Sequence, residues 1–473
     1  MSPAATIANE TNQEPASAGP LAGQPAAQDQ GGDAFRALEG KAVHATVWTV
    51  ISYGVAQVLR FVNSMVLARL LLPDSLGEMT LVSTLIIGMT MLSDIGLEPS
   101  VIQSKRGDEP VFLNTAWSLQ ALRGGALWLI AAALSWPAAN FYHDPRLLYV
   151  LPVLAAGTVI GGLYSTNLLS LSRHMGVRRL FFLDLSAQFV TLIVAIVWAL
   201  RSPSVWALVA GNLAGNAFRL AISHWPRLVP GIRNRFRWDP ACVKEIIHFG
   251  KWIFLGTAFW FFATQSDRLI LGKLVPLGVL GVYGIAYSLS DMPRAIINAF
   301  STRVGYPFIA KIIHLPMPEF RARYLRYRLY ALLAGGSMLS LMIVWGGWTM
   351  LHLYPARYAA GGWIVPILAA GLWHTLLYQT TAPTLYALGK AKYAAFGNGC
   401  YCATIVLAVP TAFHFFHLPG AVVAVAAGDF PLYLVLLFGA TREGVRPLRQ
   451  DLLLTLGFLC LLAVEFTLKH ALR

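Results

Sequence analysis

The chain has 473 residues, of which 56% are hydrophobic and only 12% charged, with a net charge of +14. A soluble domain carries about twice that charged fraction, so a soluble globular protein is excluded. The absence of strand-length alternation excludes a closed barrel. Apolar runs of about 20 residues, each able to cross about 30 Å of hydrocarbon as a helix, recur along almost the whole chain. The expected fold is therefore an all-α polytopic membrane protein.

Residues 1–40 are rich in Ala, Pro, Gln and Gly and lack an apolar core. They read as a disordered cytoplasmic tail, not as a cleaved leader. Helices are expected near 44–71, 78–103, 112–136, 146–171, 180–200 and 204–224, which make up an N-terminal six-helix bundle over 41–224. Residues 225–247 form a basic cytoplasmic linker. A second six-helix bundle over 248–440 takes helices near 248–272, 277–310, 329–350, 361–388, 393–415 and 419–440. A final apolar stretch, 451–468, is an additional C-terminal hydrophobic helix, either a thirteenth span or a segment lying against the bundle.

Lys and Arg set the orientation. With the N-terminus inside, 23 of them fall in loops on the cytoplasmic side and seven on the other. Sidedness thus explains most of the positive charge, and nucleic acid is not an expected partner. Of the four cysteines, Cys242 lies in a loop, and Cys400 and Cys402 are two apart on a helix, so they point to different faces. No disulfide framework and no metal site is expected. No G-x-x-x-x-G-K-[ST] pattern is present, so no ATPase is built in, and no cofactor is assigned.

The second half echoes the first. "ARLLLPDSLGEMTLVSTL" at 68–85 and "GKLVPLGVLGVYGIAYSL" at 272–289 both run apolar residues, a proline, a short turn, Leu-Gly and a long apolar helix. The proline spacing differs by one residue. Six helices separate the copies, so the halves are expected to be parallel pseudo-repeats around a central cavity. These stretches, with "SDIGLEPSVIQ" at 93–103 and "FGKWIFLGTAFWFFATQSDRLILGKLVPLGVLGVYGIAYSLSDMP" at 249–293, resemble Wzx-type O-antigen and exopolysaccharide flippases. Those belong to the polysaccharide-export branch of the multidrug/oligosaccharidyl-lipid/polysaccharide (MOP) exporter superfamily. The resemblance implies translocation of an undecaprenyl-diphosphate-linked oligosaccharide from the cytoplasmic to the periplasmic leaflet of a bacterial inner membrane. It further implies alternating access coupled to an ion gradient, a monomer in contact with membrane lipid, and a polysaccharide polymerase and chain-length regulator as candidate partners. The basic family plan has twelve helices and some relatives have fourteen, so the additional C-terminal helix is a departure.

Twelve charges fall within the expected spans: Arg60, Arg123, Arg219, Arg268, Arg294 and Arg303, with Asp94, Glu98, Asp184, Asp267, Asp291 and Asp429. Facing lipid, they would cost on the order of 30 kcal/mol, so most must face a wet cavity or one another. Arg60, Arg123 and Arg294 are the leading candidates to bind a diphosphate, which a guanidinium holds bidentately. Arg219, Asn63 and Asn216 extend the candidate substrate site. Asp94, Glu98, Asp267, Asp291 and Asp429 are candidates for ion coupling or gating. Arg268 is expected to snorkel to the outer interface. Gly157–Gly161 and Gly211–Gly215 are expected to pack helices closely.

Two other readings compete. A multidrug extruder of the same superfamily would use an anionic, aromatic cavity. A membrane enzyme of polysaccharide assembly would need a large periplasmic loop or a nucleophile–base pair, and the sequence shows neither.

Overall fold

A computed structural model describes residues 54–471 apart from Met175. The expected 1–40 tail, the start of the first helix and the side chains of Lys251, Trp252 and Arg303 lie outside the described residues. The described chain is helical almost throughout, without strands. Helix α1 (54–70) is the first expected span. The second is split into α2 (Pro73–Met91) and α3 (Leu97–Gln103), and α4 (Pro110–Tyr142) is the third. The fourth is the pair α5 (Leu147–Gly162) and α6 (Asn167–Arg173), bent by 66°. Helices α7 (Val177–Arg201) and α8 (Val205–Ser223) complete the first half.

The seventh span is α9 (Pro240–Leu274). The eighth divides into α10 (Leu277–Ser290), α11 (Met292–Phe300), a π-helical turn at Ser301–Gly305 and α12 (Tyr306–Ile312). Then come α13 (Met317–Leu353), α14 (Gly361–Gln379) and α15 (Ala382–Ala387). Helix α16 (Lys392–Ala427) reverses at His417, where φ is 53°, and so holds the eleventh segment and the start of the twelfth. Helices α17 (Phe430–Arg442) and α18 (Leu448–Ala471) end the described chain. Among the described residues, six helical segments are long and apolar enough to cross a membrane, or seven if the bent α5–α6 pair is one span. The protein is a multi-pass, all-helical membrane protein.

Three of the breaks share a local cause. Asp291 and Asp429 sit at the N-caps of α11 and α17, and Thr381 at that of α15. Each is followed two positions later by a proline: Pro293, Pro431 and Pro383. A proline in the first turn of a helix needs no amide partner but disfavours helical backbone before it. Backbone groups freed at the breaks are met by side chains, as non-helical backbone at membrane depth requires. Gln120 Nε2 donates to the carbonyls of Gly161, Gly162 and Tyr164 at 3.0–3.3 Å.

Helices α2 and α10 meet backbone to backbone. A Cβ on Gly77 would lie 1.8 Å from Leu277 O, and one on Gly281 would lie 2.0 Å from Pro73 O. Gly77 is the fifth residue of α2 and Gly281 the fifth of α10, while Pro73 and Leu277 are the first residues of the same helices. The two sequence echoes therefore cross in register. Their prolines differ by one residue because Pro73 begins α2 whereas Pro276 is the N-cap of α10. Around this crossing the contacts are reciprocal. Arg69 on α1 donates to Leu353 O at the end of α13, and Lys273 on α9 donates to Phe141 O at the end of α4. Tyr142 and Tyr358 hydroxyls reach Leu269 O and Leu71 O at 3.4 and 3.0 Å. Basic side chains at helix C-termini complement the unpaired carbonyls there.

Gly211 and Gly215 pack α8 onto α7 as expected, with Cβ positions 2.6 Å from Thr191 O and 1.9 Å from Thr191 Oγ1. Gly157 also packs against α8, where a Cβ would lie 3.1 Å from Asn216 Nδ2, and with Gly161 it lines a cavity, while α4 meets α5 at Gly124 and Gly162.

The final apolar stretch is a 24-residue helix anchored along its length to α13 and α14. Arg328 on α13, 0% exposed, pairs with Asp451 at the start of α18 and donates to Leu377 O at 3.0 Å. Tyr433 Oη donates to the other Asp451 oxygen at 3.0 Å. Further along, Ser340 Oγ donates to Glu465 at 2.9 Å and Lys469 reaches Val344 O. Trp373 stacks on Phe458 at 4.2 Å and donates to Thr455. Helix α18 thus runs parallel to α13 and qualifies as a span in its own right.

Candidate functional site

A cavity of about 1070 Å³ lies among α2, α3, α4, α5 and α8. Its walls carry Asp94, Glu98, Arg123, Asn216 and Arg219 from the expected site, together with Gln120, Tyr164 and Asn212. The break between α2 and α3 brings Asp94 and Glu98 to it, and Asp94 is held by the amide of Gly96 at 2.9 Å. Gly96 takes a left-handed φ of 64°, which glycine adopts without strain.

Arg123 reaches across from α4. Its Nε donates to Ser93 Oγ at 3.1 Å, and a terminal nitrogen donates to Thr90 O at 2.5 Å. Its hydrogen-bond partners are neutral, and no carboxylate lies within 4 Å of it among the described residues. Arg219 differs, because Asp184 lies 3.0 Å away and Tyr164 lies beneath the guanidinium at 5.3 Å. Asn216 joins this network, accepting from Tyr164 Oη and donating to Asn212 Oδ1, both at 2.9 Å. The i,i+4 spacing of Asn212 and Asn216 and the following Arg219 form one polar stripe on α8, visible from sequence. Gln120 and Tyr164 were not expected, since each looks like an ordinary polar residue in an apolar run.

The expected arginine trio is not gathered in one cavity. Arg294 lies in a slot of about 40 Å³ lined by Trp260, Tyr287, Tyr378, Tyr401, Asp291 and Asp429. There Arg294 is held bidentately by Asp291 at 2.5 and 3.0 Å, and Asp429 is held by His374 and by Thr375 Oγ1 at 2.6 Å. Arg60 is exposed on α1, with its guanidinium on Gln57 at 2.5 Å.

Asn63 and Asp267 stand at equivalent distances ahead of Gly77 and Gly281, and each has a buried Oδ1 without a hydrogen-bond partner. The other Asp267 oxygen accepts from Tyr283 Oη at 2.6 Å. Arg268 lines a third cavity, about 310 Å³, between α1, α2, α8 and α10. It faces the protein interior; the expectation that it snorkels to the outer interface does not match this placement.

Glu78, Arg328 and Asp451 are buried charges that the sequence reading did not single out. Glu78 is 0% exposed, and its nearest cation is Arg146, at 3.8 Å. No group of three or more His, Cys, Asp or Glu side chains able to hold a metal occurs among the described residues.

Residues 66–344, more than half of the chain, match the family described as "Polysaccharide biosynthesis protein". The chain belongs to this family. Within the polysaccharide biosynthesis family, it is 24% identical over 276 residues to the lipopolysaccharide biosynthesis protein WzxC of Escherichia coli K12. That match covers 58% of this chain and 56% of WzxC. It is 22% identical over 353 residues to the succinoglycan biosynthesis transport protein ExoT of Rhizobium meliloti, covering 72% and 68% of the two chains. The match to WzxC thus spans little more than half of that relative's length. Among solved structures, the lipid II flippase MurJ in an inward closed conformation superposes with a TM-score of 0.70 at 13% identity. That superposition covers 88% of this chain and 92% of MurJ. An inward-facing multidrug resistance MATE transporter of the MOP superfamily gives a TM-score of 0.65 at 13% identity, over 83% and 96% of the chains. These likenesses fix the fold: that of the MOP transporters.

Proposed function

We propose that this polysaccharide biosynthesis protein is a flippase. It moves an undecaprenyl-diphosphate-linked oligosaccharide from the cytoplasmic to the periplasmic leaflet by alternating access between two six-helix halves. The observation that carries this reading is the 1070 Å³ cavity in which Arg123 has no carboxylate within 4 Å among the described residues. A half-buried guanidinium whose hydrogen-bond partners are neutral keeps donors for a ligand, and phosphate oxygens match them. The asparagines, Gln120 and Tyr164 supply neutral polar groups of the kind that contact sugar hydroxyls. Family membership and the names of WzxC and ExoT support a polysaccharide cargo.

The N-terminus is cytoplasmic in this reading, in a bacterial inner membrane, and the crossing of α2 over α10 supports the parallel repeat. A polymerase and a chain-length regulator of the pathway are the proposed partners of a monomeric flippase. Asp94 and Glu98, which share the cavity with Arg123, are the proposed ion-coupling carboxylates.

The cation-extruder reading draws on the aromatic slot with Asp291 and Asp429. Both carboxylates there are already engaged, by Arg294 and by His374 with Thr375.

The test is leaflet exchange of a fluorescent undecaprenyl-diphosphate-linked oligosaccharide in liposomes carrying the purified protein. Wild type exchanges it, and Arg123→Gln slows exchange at least about tenfold, the loss expected for a charge-assisted phosphate contact. Absence of exchange by wild type with several glycans would overturn the reading.

A further inference from the structure

Intramembrane arginines divide by partner. Arg219 and Arg294 each have a carboxylate, Asp184 at 3.0 Å and Asp291 at 2.5 Å. Arg123 and Arg268 have none within 4 Å among the described residues; their polar contacts are Ser93 and Thr90 for Arg123, and Gln265 for Arg268. Each of these two lines a cavity, and the two cavities share Ser83 and Ile87 on α2. The chambers are therefore adjoining compartments along one helix. The larger extends past Thr90 to Gln103, and the smaller extends back to Leu76. From Thr90, which Arg123 holds, to Leu76 is about 20 Å along the helix axis, a large part of the hydrocarbon thickness.

We propose that Arg268 is a second anion-binding station on the transport path, receiving the substrate's diphosphate after Arg123 as the substrate advances along α2; this rests on the flippase reading above. The smaller chamber is built for such a role. Arg268 is the one charged residue in its described lining. The guanidinium is stacked on Tyr287 at 4.6 Å and donates to Gln265 Oε1 at 2.5 Å. Its remaining donors have no partner among the described residues, and a guanidinium has five. Ser64, Thr80, Ser83 and Ser288 line the same space, and Gly284 brings α10 close to α2 there, since a Cβ on it would lie 3.0 Å from Thr80 Oγ1. Asp267 does not neutralise it within salt-bridge distance, because the carboxylate is turned toward Tyr283. A station with one cation and several hydroxyls holds an anion loosely enough to pass it on, which multi-site conduction requires.

The experiment compares full-length wild type, Arg123→Gln, Arg268→Gln, Arg268→Lys and Ser288→Phe. Ser288→Phe fills the smaller chamber from α10 without altering a charge. Undecaprenyl diphosphate is the probe for binding in detergent, and the fluorescent lipid-linked oligosaccharide reports exchange in liposomes. Arg123→Gln should weaken binding about tenfold. Arg268→Gln should bind within about twofold of wild type yet exchange at least about tenfold more slowly, a loss of rate without a loss of ground-state binding. Arg268→Lys should recover part of the rate, and Ser288→Phe should exchange slowly. Wild-type exchange in Arg268→Gln would overturn the second station. So would a binding loss in Arg268→Gln equal to that of Arg123→Gln, because the two arginines would then act as one site. If Arg268→Gln does not fold, Ser288→Phe decides, and wild-type exchange there overturns the proposal. Failure of wild type to bind or exchange would overturn the flippase reading itself.

Discussion

At the scale of single residues, the most heavily committed charge is Arg328. It looks in sequence like one more basic loop residue, yet it is fully buried and pairs with Asp451, which lies 123 residues away in the chain. Removing one partner of such a pair leaves the other charge unmatched, at about 3–5 kcal/mol. Asp451→Asn should lower thermal stability in detergent by that order, and Arg328→Met combined with Asp451→Leu should restore much of it. A melting series of the single and double variants checks both. Asp239 offers a milder test outside the membrane. Its carboxylate caps α9, accepting from the amides of Cys242 and Ala241 at 3.0 and 2.9 Å, and these bonds hold it below the usual carboxylate range. A depressed folded value means the cap contributes stability above the ordinary carboxylate pKa of about 4 and loses it as pH falls further. The protection of the Ala241 and Cys242 amides, read as hydrogen exchange relative to the free-chain rate at each pH, should therefore fall on acidification in wild type, and Asp239→Asn should blunt that pH dependence.

Among helices, hydrophobic run length made the spans legible, and the expected ends near 71, 136, 200, 272 and 350 fall within several residues of those observed. Breaks were less legible. Asp291-Met292-Pro293, Asp429-Phe430-Pro431 and Thr381-Ala382-Pro383 carry one pattern, yet each falls inside a stretch whose apolar run reads as a continuous helix. The charges at Asp291 and Asp429 make sense only with those breaks, since they sit where a new helix begins. Long-range partners were illegible for a simpler reason: nothing local in Arg328 or Asp451 names the other. The contact of α2 with α10 supplies the sharpest prediction among elements. Gly77→Ala or Gly281→Ala places a methyl within 2.0 Å of a backbone carbonyl oxygen. Each should force these helices apart and cut leaflet exchange at least about tenfold, as a misplacement of about 1 Å in a working site can. Cross-linking of a cysteine pair placed at the α2–α10 contact, efficient in wild type and reduced in the variants, would show the separation directly.

For the whole molecule, charge sidedness predicts topology. A cysteine at position 233 should be labelled by an impermeant reagent only from the cytoplasmic side, and one at position 201 only from the periplasmic side; the reverse pattern would invert the orientation. The cavity contents were only partly readable. The α8 stripe of Asn212, Asn216 and Arg219 was visible, whereas the separation of Arg123 from Arg294 depends on how the two halves are filled. The first half keeps an open chamber, and the corresponding space of the second is crowded by Trp260, Tyr287, Tyr378 and Tyr401.

The crossing of Gly77 and Gly281 bears on ancestry as well as motion. If the halves descend from one duplicated segment, each glycine is held in place by the backbone of the other copy, so neither can drift alone. The chambers carry no such mutual constraint. One copy could become roomy and the other congested while the seam between them stayed fixed. The asymmetry of the two chambers is then a record of divergence that the seam permitted, and ancestral reconstruction would look for it first in the tyrosines of the second half.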